Sequence, residues 1–271
     1  MPFEKTTERE SNYNNLEKKS VKEIITDINY EDKSVADSVG NSLAEIEKLI
    51  IEVYNTLLTG GRLFYIGSGT SGRMGVLDAS ECPPTFGVND TVIGLIAGGD
   101  KAIRNSQEFA EDSVNQGWLD LMNHNVSKKD IVIGIAASGT TPYVLNALKS
   151  CNKNQIKTGS ICCNKNSPIS LNSNNPVEVV VGPEYITGSS RMKAGTAQKM
   201  ILNMVSTAVM IKLGKVKGSL MIDMQLSNNK LIERAVNILS NCLNVTKEEA
   251  KKLISKYGSV RKIIENHNVR S

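Results

Sequence analysis

The sequence predicts an α/β protein whose parallel sheet is flanked by helices, with a helical N-terminal segment and a small helical C-terminal region. Five short apolar runs alternate with helix-length segments in the middle of the chain. These runs are nearly continuous in valine and isoleucine, which is typical of parallel strands buried on both faces. The 271 residues are 40% hydrophobic and 22% charged, as expected for a globular protein with a sizeable core.

Three parts are expected along the chain, because the hydrophobic period changes twice. Helical spacing gives way to alternating strands and helices near residue 60, and it returns after the last strand. No internal repeat or low-complexity segment is present. The expected parts are N-terminal helices at 1–60, an α/β domain at 61–215 and a helical region at 216–271.

The N-terminal part is predicted to hold two helices. Ser20 and Glu23 have the spacing of a capping box at the start of the first helix. Apolar residues at helical spacing predict a longer helix over about 34–58, which Gly60 would end. We interpret both helices as packing or dimerisation elements.

The central part is predicted to hold five parallel strands. Parallel sheets bind ligands at the carboxyl ends of their strands, so the loops that follow the strands are the candidate functional segments. A long helix over about 192–213 and a capping box at Thr246 and Glu249 are predicted beyond the sheet. The predicted strands are Leu63–Ile66, Val92–Ile96, Ile131–Ile135, Lys157–Cys162 and Val177–Val181.

Composition excludes several functional classes. Only two histidines occur, so a site that needs several His ligands is excluded. The five cysteines form no C-x-x-C pair, and the polar start has no apolar signal core, which predicts reduced thiols and a cytoplasmic protein. No apolar run approaches eighteen residues, so no membrane span is expected. A net charge of +4 and 4% aromatic residues give no indication of nucleic-acid binding.

The loop after the first strand is rich in glycine and hydroxyl groups. Residues 67–72 read Gly-Ser-Gly-Thr-Ser-Gly and precede a predicted helix, an arrangement suited to an anion at the helix N-terminus. The string also matches the dinucleotide fingerprint G-x-G-x-x-G. The acidic ribose ligand expected about 20 residues later is missing, because the second strand leads into Ala97 and two glycines.

A second loop of the same kind follows the third strand. Residues 137–142 read Ala-Ser-Gly-Thr-Thr-Pro, and Pro142 suits the first turn of a helix. Two hydroxyl-rich loops at one sheet edge predict a bound phosphate or phosphorylated sugar. A P-loop is excluded because no G-x-x-x-x-G-K-[ST] string occurs.

Two carboxylates are candidates for acid–base chemistry. Glu81 lies just before Pro83 and Pro84, where the chain is expected to leave its helix. Glu111 and Asp112 form an acidic pair in a polar helical stretch. Each could equally be a solvated helix residue. Farther on, the segment 188–196, which includes Ser190, Arg191 and Lys193, places two cations at a helix start, and we expect it to face a phosphate or an interface.

Four strings together resemble the N-acetylmuramic acid 6-phosphate etherase family, which belongs to the sugar isomerase (SIS) fold group. The resemblance implies a SIS-type sheet and cleavage of the D-lactyl ether of N-acetylmuramate 6-phosphate. The products would be N-acetylglucosamine 6-phosphate and D-lactate, in peptidoglycan recycling. The strings are Ile66–Arg73, Leu77–Thr85, Ala136–Tyr143 and Thr187–Thr196.

The resemblance also implies residue roles. Glu81 would protonate the departing lactate, and Glu111 would remove the C2 proton or assist the addition of water, with Asp112 as the alternative base. No metal or organic cofactor is implied, and the protein would be a homodimer with sites near the subunit interface. The implied substrate-binding residues are Ser68, Gly69, Thr70, Ser71, Ser138, Gly139, Thr141, Ser190 and Lys193.

Two other functions are compatible with the fold. A non-catalytic sugar-phosphate sensor or regulator would keep the hydroxyl loops and could lose the carboxylates, whereas Glu81 and Glu111 are both present. An aldose–ketose isomerase also needs a C2 base. The Asp-Ala-Ser-Glu-Cys-Pro-Pro string at 78–84 favours the etherase over the isomerase.

Overall fold

The computed structural model describes residues 3–268, and their contacts divide them into two compact units. The first unit holds the described residues up to Ser80 together with Thr91–Thr207. The second unit holds Glu81–Asp90 and the described residues from Ala208 onwards. The boundaries at residues 60 and 215 that the sequence suggests stay a prediction.

The first unit contains the predicted parallel sheet, which confirms the fold class. Its strand order is β2-β1-β3-β4-β5, and all neighbouring pairs are parallel. The chain therefore leaves β1 towards one edge of the sheet and leaves β3 towards the other. This divergence creates a crevice at the carboxyl ends of β1 and β3, the usual ligand position in such sheets. The strands are β1 Leu63–Gly67, β2 Val92–Ile96, β3 Ile131–Ile135, β4 Lys157–Cys162 and β5 Asn175–Glu178.

The helices that begin in the first unit precede the sheet, connect its strands or follow its last strand. Two further strands and three further helices belong to the second unit. Short 3-10 helices lie at Thr6–Glu8, Leu16–Lys18 and Glu108–Asp112. The α-helices are α1 Val21–Gly40, α2 Leu43–Leu58, α3 Gly69–Phe86, α4 Lys101–Arg104, α5 Gln116–Asn123, α6 Pro142–Lys153, α7 Pro168–Leu171 and α8 Lys193–Lys212.

The N-terminal helices differ from the prediction in one respect. The capping box is confirmed, since the Glu23 N–H donates to Ser20 Oγ at 3.3 Å and the Ser20 N–H donates to Glu23 Oε2 at 2.8 Å. The prediction of a single helix over 34–58 is wrong, because the helical segment is interrupted between α1 and α2. Gly40 disfavours continuation of a helix. The Ser42 hydroxyl donates to the Glu178 carbonyl at 3.1 Å, which fixes the break against the end of β5.

The strands match the prediction best at the centre of the sheet. All five residues of β1 and all five of β3 are buried, which explains their continuous apolar runs. The last strand begins two residues earlier than predicted, at Asn175. It includes Pro176, which an edge strand tolerates because its outer N–H groups need no ladder partner.

The second unit is a small helical assembly with its own core. Arg261 joins its last helix to Asp223 through two hydrogen bonds of 2.6 and 2.8 Å. The capping box at Thr246 and Glu249 is confirmed. No helix within residues 3–268 is both long and apolar enough to cross a membrane. The elements are β6 Val216–Lys217, β7 Leu220–Met221, α9 Asn229–Leu243, α10 Lys247–Tyr257 and α11 Val260–Asn268.

Candidate functional site

The glycine-rich loop after β1 leads directly into α3. The Gly72 N–H donates to the Ser68 carbonyl at 3.0 Å and closes the first turn. A Cβ atom on Gly72 would lie 2.6 Å from Ile96 Cγ1 and 2.8 Å from the Gly67 carbonyl oxygen, so only glycine permits this close packing. The first N–H groups of α3 consequently open at the carboxyl ends of the strands, where an anion is favoured.

Ser68 and Glu111 are in direct contact. The Ser68 hydroxyl donates to Glu111 Oε2 at 2.9 Å, although 43 positions separate the two residues. Ser68 is buried at 9% exposure, whereas Glu111 is exposed and reachable by a ligand. Both line a cavity of about 180 Å³ at the end of β1. The lining residues are Ser68, Gly69, Arg73, Ala97, Ala102, Ser106, Gln107 and Glu111.

Several lining residues of this cavity were missed by the sequence reasoning, among them Arg73 and Gln107. Arg73 directly follows the glycine-rich loop, and this position was the available signal for a role in the site. Its Nε donates to the Ile103 carbonyl at 3.0 Å, which holds the side chain against α4. Gln107 lies in a polar stretch without any such signal. Asp112 is exposed and is not among the lining residues.

The second hydroxyl loop is shaped by its own side chains. Ser138 Oγ accepts hydrogen bonds from the Thr140 N–H at 3.2 Å and from the Thr140 hydroxyl at 3.1 Å. Gly139 has a φ of +75°, and a Cβ there would lie 2.3 Å from Ser167 Cβ. Thr141 precedes α6, with Pro142 in the first turn as predicted, and its side chain makes no capping bond. The loop thus places several hydroxyl groups beside the start of a 12-residue helix.

Asn164 holds the backbone of this loop through hydrogen bonds, and no sequence signal identifies Asn164 as a site residue. Its side chain is fully buried, and Nδ2 donates to the carbonyls of Ala137 and Ser138, both at 3.1 Å. Asn164 Oδ1 accepts from the Thr6 hydroxyl at 2.8 Å and from the Thr7 N–H at 3.3 Å. One buried amide therefore joins the second loop to the first described turn of the chain.

The remaining hydroxyls of the first loop face α8. The buried Ser71 hydroxyl donates to Gln198 Oε1 at 2.9 Å, so its proton is already engaged. A Cβ on Gly195 would lie 3.2 Å from Thr70 Cγ2, which shows that α8 begins close beside this loop. Ser190 is half-buried in the turn that precedes α8, where its carbonyl accepts the Gly195 N–H at 3.0 Å.

The expected anion at the start of α8 is provided by the chain itself. Glu184 is 1% exposed and accepts the N–H groups of Lys193 and Ala194 at 2.8 and 2.9 Å. Burial raises the pKa of this carboxyl above its ordinary value, although the two backbone hydrogen bonds oppose the rise. The Lys193 ammonium is buried in an ion pair with Glu31. This ion pair disfavours a contact between Lys193 and the substrate, because the charge of its ammonium is already paired away from solvent.

Glu81 lies in the second unit, on α3, and its side chain is exposed. The helix does not end before the prolines as predicted, since it continues to Phe86. It stops at Gly87, where φ is +65° and the N–H donates to the Pro83 carbonyl at 2.9 Å. A cavity of about 240 Å³ adjoins Glu81, and its lining residues are Glu81, Pro84, Thr85, Met221, Asn228, Lys230, Leu231 and Arg234.

The described residues contain no group of three or more His, Cys, Asp or Glu side chains arranged to hold a metal ion. None of the five cysteines, all of which lie within residues 3–268, forms a disulfide, and Cys242 is the exposed one among them. Burial raises the pKa of the Cys151 thiol to about 12 and also raises that of Cys162, which makes both poor nucleophiles.

Three family models match the chain in order. The N-terminal SIS domain of glucokinase regulatory protein matches residues 44–152, and the SIS domain matches 109–208. The C-terminal lid domain of glucokinase regulatory protein matches 218–267. Among solved structures, a ligand complex of an Escherichia coli CFT073 protein is 19% identical, with a TM-score of 0.54, and covers 74% of this chain and 97% of its own. Phosphoheptose isomerase from Neisseria gonorrhoeae is 14% identical, with a TM-score of 0.54. The match covers 70% of this chain and 98% of the isomerase chain. These structures share the fold.

Curated relatives match over nearly the whole chain. A protein of Christiangramia forsetii is 56% identical over 262 residues, which is 96% of each chain. A protein of Porphyromonas gingivalis is 57% identical over 260 residues, or 96% of this chain and 95% of its own. A Clostridium botulinum protein is 50% identical over 95% of this chain and 86% of its own. All three are named N-acetylmuramic acid 6-phosphate etherase.

Proposed function

Because this chain belongs to the N-acetylmuramic acid 6-phosphate etherase family, we propose that it cleaves the D-lactyl ether of N-acetylmuramate 6-phosphate. The products are N-acetylglucosamine 6-phosphate and D-lactate, and the enzyme is a carbon–oxygen lyase of cell-wall amino sugar catabolism. The observation that carries the proposal is the 2.9 Å hydrogen bond between Ser68 and Glu111. It provides a carboxylate at the strand edge where a parallel sheet of this order binds ligands.

The reaction needs one base and one acid. In the ring-opened sugar, the C1 aldehyde acidifies the C2 proton, and a base removes it. The electron pair forms a C2–C3 double bond while the C3–oxygen bond breaks, and an acid protonates the departing lactate oxygen. Water then adds across the double bond, with hydroxyl at C3 and a proton at C2. Positioned general acids and bases contribute about 10²–10⁴-fold each to such steps.

Glu111 is the proposed C2 base. The Ser68 hydroxyl occupies one lone pair of Oε2, which orients the carboxylate and leaves its other lone pairs for a substrate proton. Glu111 lines the cavity, and Asp112 does not. This difference favours Glu111 over Asp112 as the base, a choice that the sequence left open.

Glu81 is the proposed acid for the lactate oxygen. The assignment rests on the resemblance of the string at 78–84 to this family, and it is compatible with an exposed carboxyl that lines a cavity. A non-catalytic sensor would need neither Glu81 nor Glu111. No observation favours that alternative, and the curated relatives are named as etherases.

The substrate phosphate is proposed to bind at the second loop. The start of α6 offers free N–H groups, and Ser138, Gly139 and Thr141 surround that start. Gly69, Thr70 and Ser71 of the first loop, with Ser190 beside them, are proposed to contact the sugar. Lys193 is left out of these contacts because it is paired with Glu31.

A homodimer is proposed from the surface of α2. Leu43, Ile51 and Leu58 are 52%, 50% and 59% exposed. Their spacing of eight and seven residues places them on one face of the helix. Monomeric proteins rarely leave such an apolar stripe open to water. A second copy of the chain is the proposed occupant, and sedimentation at micromolar concentration tests it.

Two linked assays on purified protein test the function. D-lactate release is measured from N-acetylmuramate 6-phosphate, and exchange of the C2 proton with deuterated water is followed by NMR. Glu81→Gln should abolish lactate release and leave C2 exchange, because only protonation of the leaving group is lost. Glu111→Gln should suppress both. The matched control Asp112→Asn should change neither, and loss of exchange in that variant instead would assign the base to Asp112.

A further inference from the structure

The cavity beside Glu81 contains two cations without an assigned role. Lys230 and Arg234 both line it, and both side chains are exposed. They lie one turn apart on α9, so their side chains are neighbours on one helix face. No described residue forms an ion pair with either of them. Exposed cations next to a reactive carboxyl are available to a ligand.

The charge of this cavity favours an anionic ligand. Glu81 is the one acid among the lining residues, against two cations. Asn228 does not neutralise them, since its Oδ1 caps α9 by accepting the Leu231 N–H at 2.9 Å. An adjoining cavity of about 290 Å³ shares Lys230 and Arg234 and also contains Glu233. The Glu81 cavity therefore carries an excess of one positive charge.

The chemistry of the leaving group identifies that anion. The ether oxygen that Glu81 protonates is bonded to the lactyl carbon that carries the carboxylate. When Glu81 reaches this oxygen, the lactyl carboxylate is held only two bonds away. Once Glu81 has given its proton to this oxygen, its carboxylate and the lactyl carboxylate would repel each other without a nearby cation.

We propose that Lys230 and Arg234 bind the lactyl carboxylate and thereby select a carboxylate-bearing ether. The inference rests on the proposed etherase function and on Glu81 as the acid. The Arg234 guanidinium suits a planar carboxylate because it donates two parallel hydrogen bonds, and Lys230 adds a point charge one turn away. The two side chains would also hold the lactate after the C3–oxygen bond breaks.

The test compares two substrates that differ only in this carboxylate. One is N-acetylmuramate 6-phosphate, and the other is the 3-O-ethyl ether of N-acetylglucosamine 6-phosphate, which releases ethanol. Lys230→Gln and Arg234→Gln should each lower kcat/KM for the lactyl ether by about tenfold or more, chiefly through KM, because each removes a charge-assisted hydrogen bond. Both variants should leave kcat/KM for the ethyl ether unchanged. Arg234→Lys should retain part of the discrimination.

The controls separate the possible failures. Lys251→Gln removes an exposed lysine on α10 that lines neither cavity, and it should change neither substrate. Competitive inhibition by free D-lactate should weaken in the Lys230 and Arg234 variants. An equal loss on both ethers, or no loss on either, would overturn the role of the two cations while leaving the etherase function intact. If the wild-type protein does not release lactate from N-acetylmuramate 6-phosphate, the proposed function itself fails.

Discussion

Replacement of Glu184 tests how α8 is anchored. Its carboxylate accepts the N–H groups of Lys193 and Ala194, which are buried at 3% and 0% exposure. In Glu184→Ala both donors lose their acceptor, and each unsatisfied buried donor costs about 1–3 kcal/mol. Removal of a buried carboxylate returns part of its desolvation energy. The expected net loss of unfolding free energy at pH 7 is therefore about 2–4 kcal/mol. Glu184→Gln keeps one oxygen acceptor and should lose less.

Urea unfolding at several pH values measures this loss. Burial raises the pKa of Glu184 in the folded protein, so its contribution to stability is greatest below the unfolded value of about 4.5 and declines as pH rises through the folded value. The loss in Glu184→Ala should accordingly be larger at pH 4 than at pH 7. The control Glu10→Gln removes an exposed acid that lies outside any helix and should have no effect. A loss below about 0.5 kcal/mol for Glu184→Ala, the ordinary range of surface changes, would refute the anchoring role.

Two other perturbations have defined outcomes. Ser68→Ala should lower kcat about tenfold without shifting the unfolding midpoint, because one hydrogen bond to the Glu111 carboxylate is lost; Ser106→Ala in the same cavity is the control, and an equal effect there would contradict the prediction. For Asp130, burial alone would raise the pKa, but hydrogen bonds, chiefly from Arg62, outweigh it and lower the pKa. The stabilisation by the Asp130 carboxylate is thus present above about pH 4 and is lost as pH falls further. Asp130→Asn should therefore lower the unfolding free energy by about 2–3 kcal/mol at pH 7 and by progressively less below about pH 4, as measured in urea titrations.

The elements that the sequence predicts well are those specified by local pattern. The strands β2, β3 and β4 begin and end where predicted, because burial on both faces produces an apolar run whose limits coincide with the strand. The capping boxes at Ser20 and Thr246 depend on residues only three positions apart. The hydroxyl loops are also identifiable, since they directly follow predicted strands.

Features that depend on distant partners could not be predicted. Lys193 has the charge expected of a phosphate ligand, yet Glu31 on α1 neutralises that charge in an ion pair. The two residues are 162 positions apart in sequence. Asn164 resembles any loop asparagine until the loop it supports is known. The prolines at 83 and 84 misled the prediction because a short helical turn continues past them to Gly87. In each case tertiary contacts outweigh the local preference.

The buried amide of Asn164 has a practical consequence for handling the protein. Asn164 lies 158 positions from Thr6 and 157 from Thr7 in sequence, and it connects both residues to the backbone of the second hydroxyl loop. Proteolytic nicking after Thr7 or an awkwardly placed affinity tag would remove or displace these contacts without touching the sheet. Circular dichroism would report such a preparation as folded, yet we expect it to bind sugar phosphate poorly. The integrity of the amino-terminal turn is therefore worth checking by mass spectrometry before a low activity is attributed to chemistry.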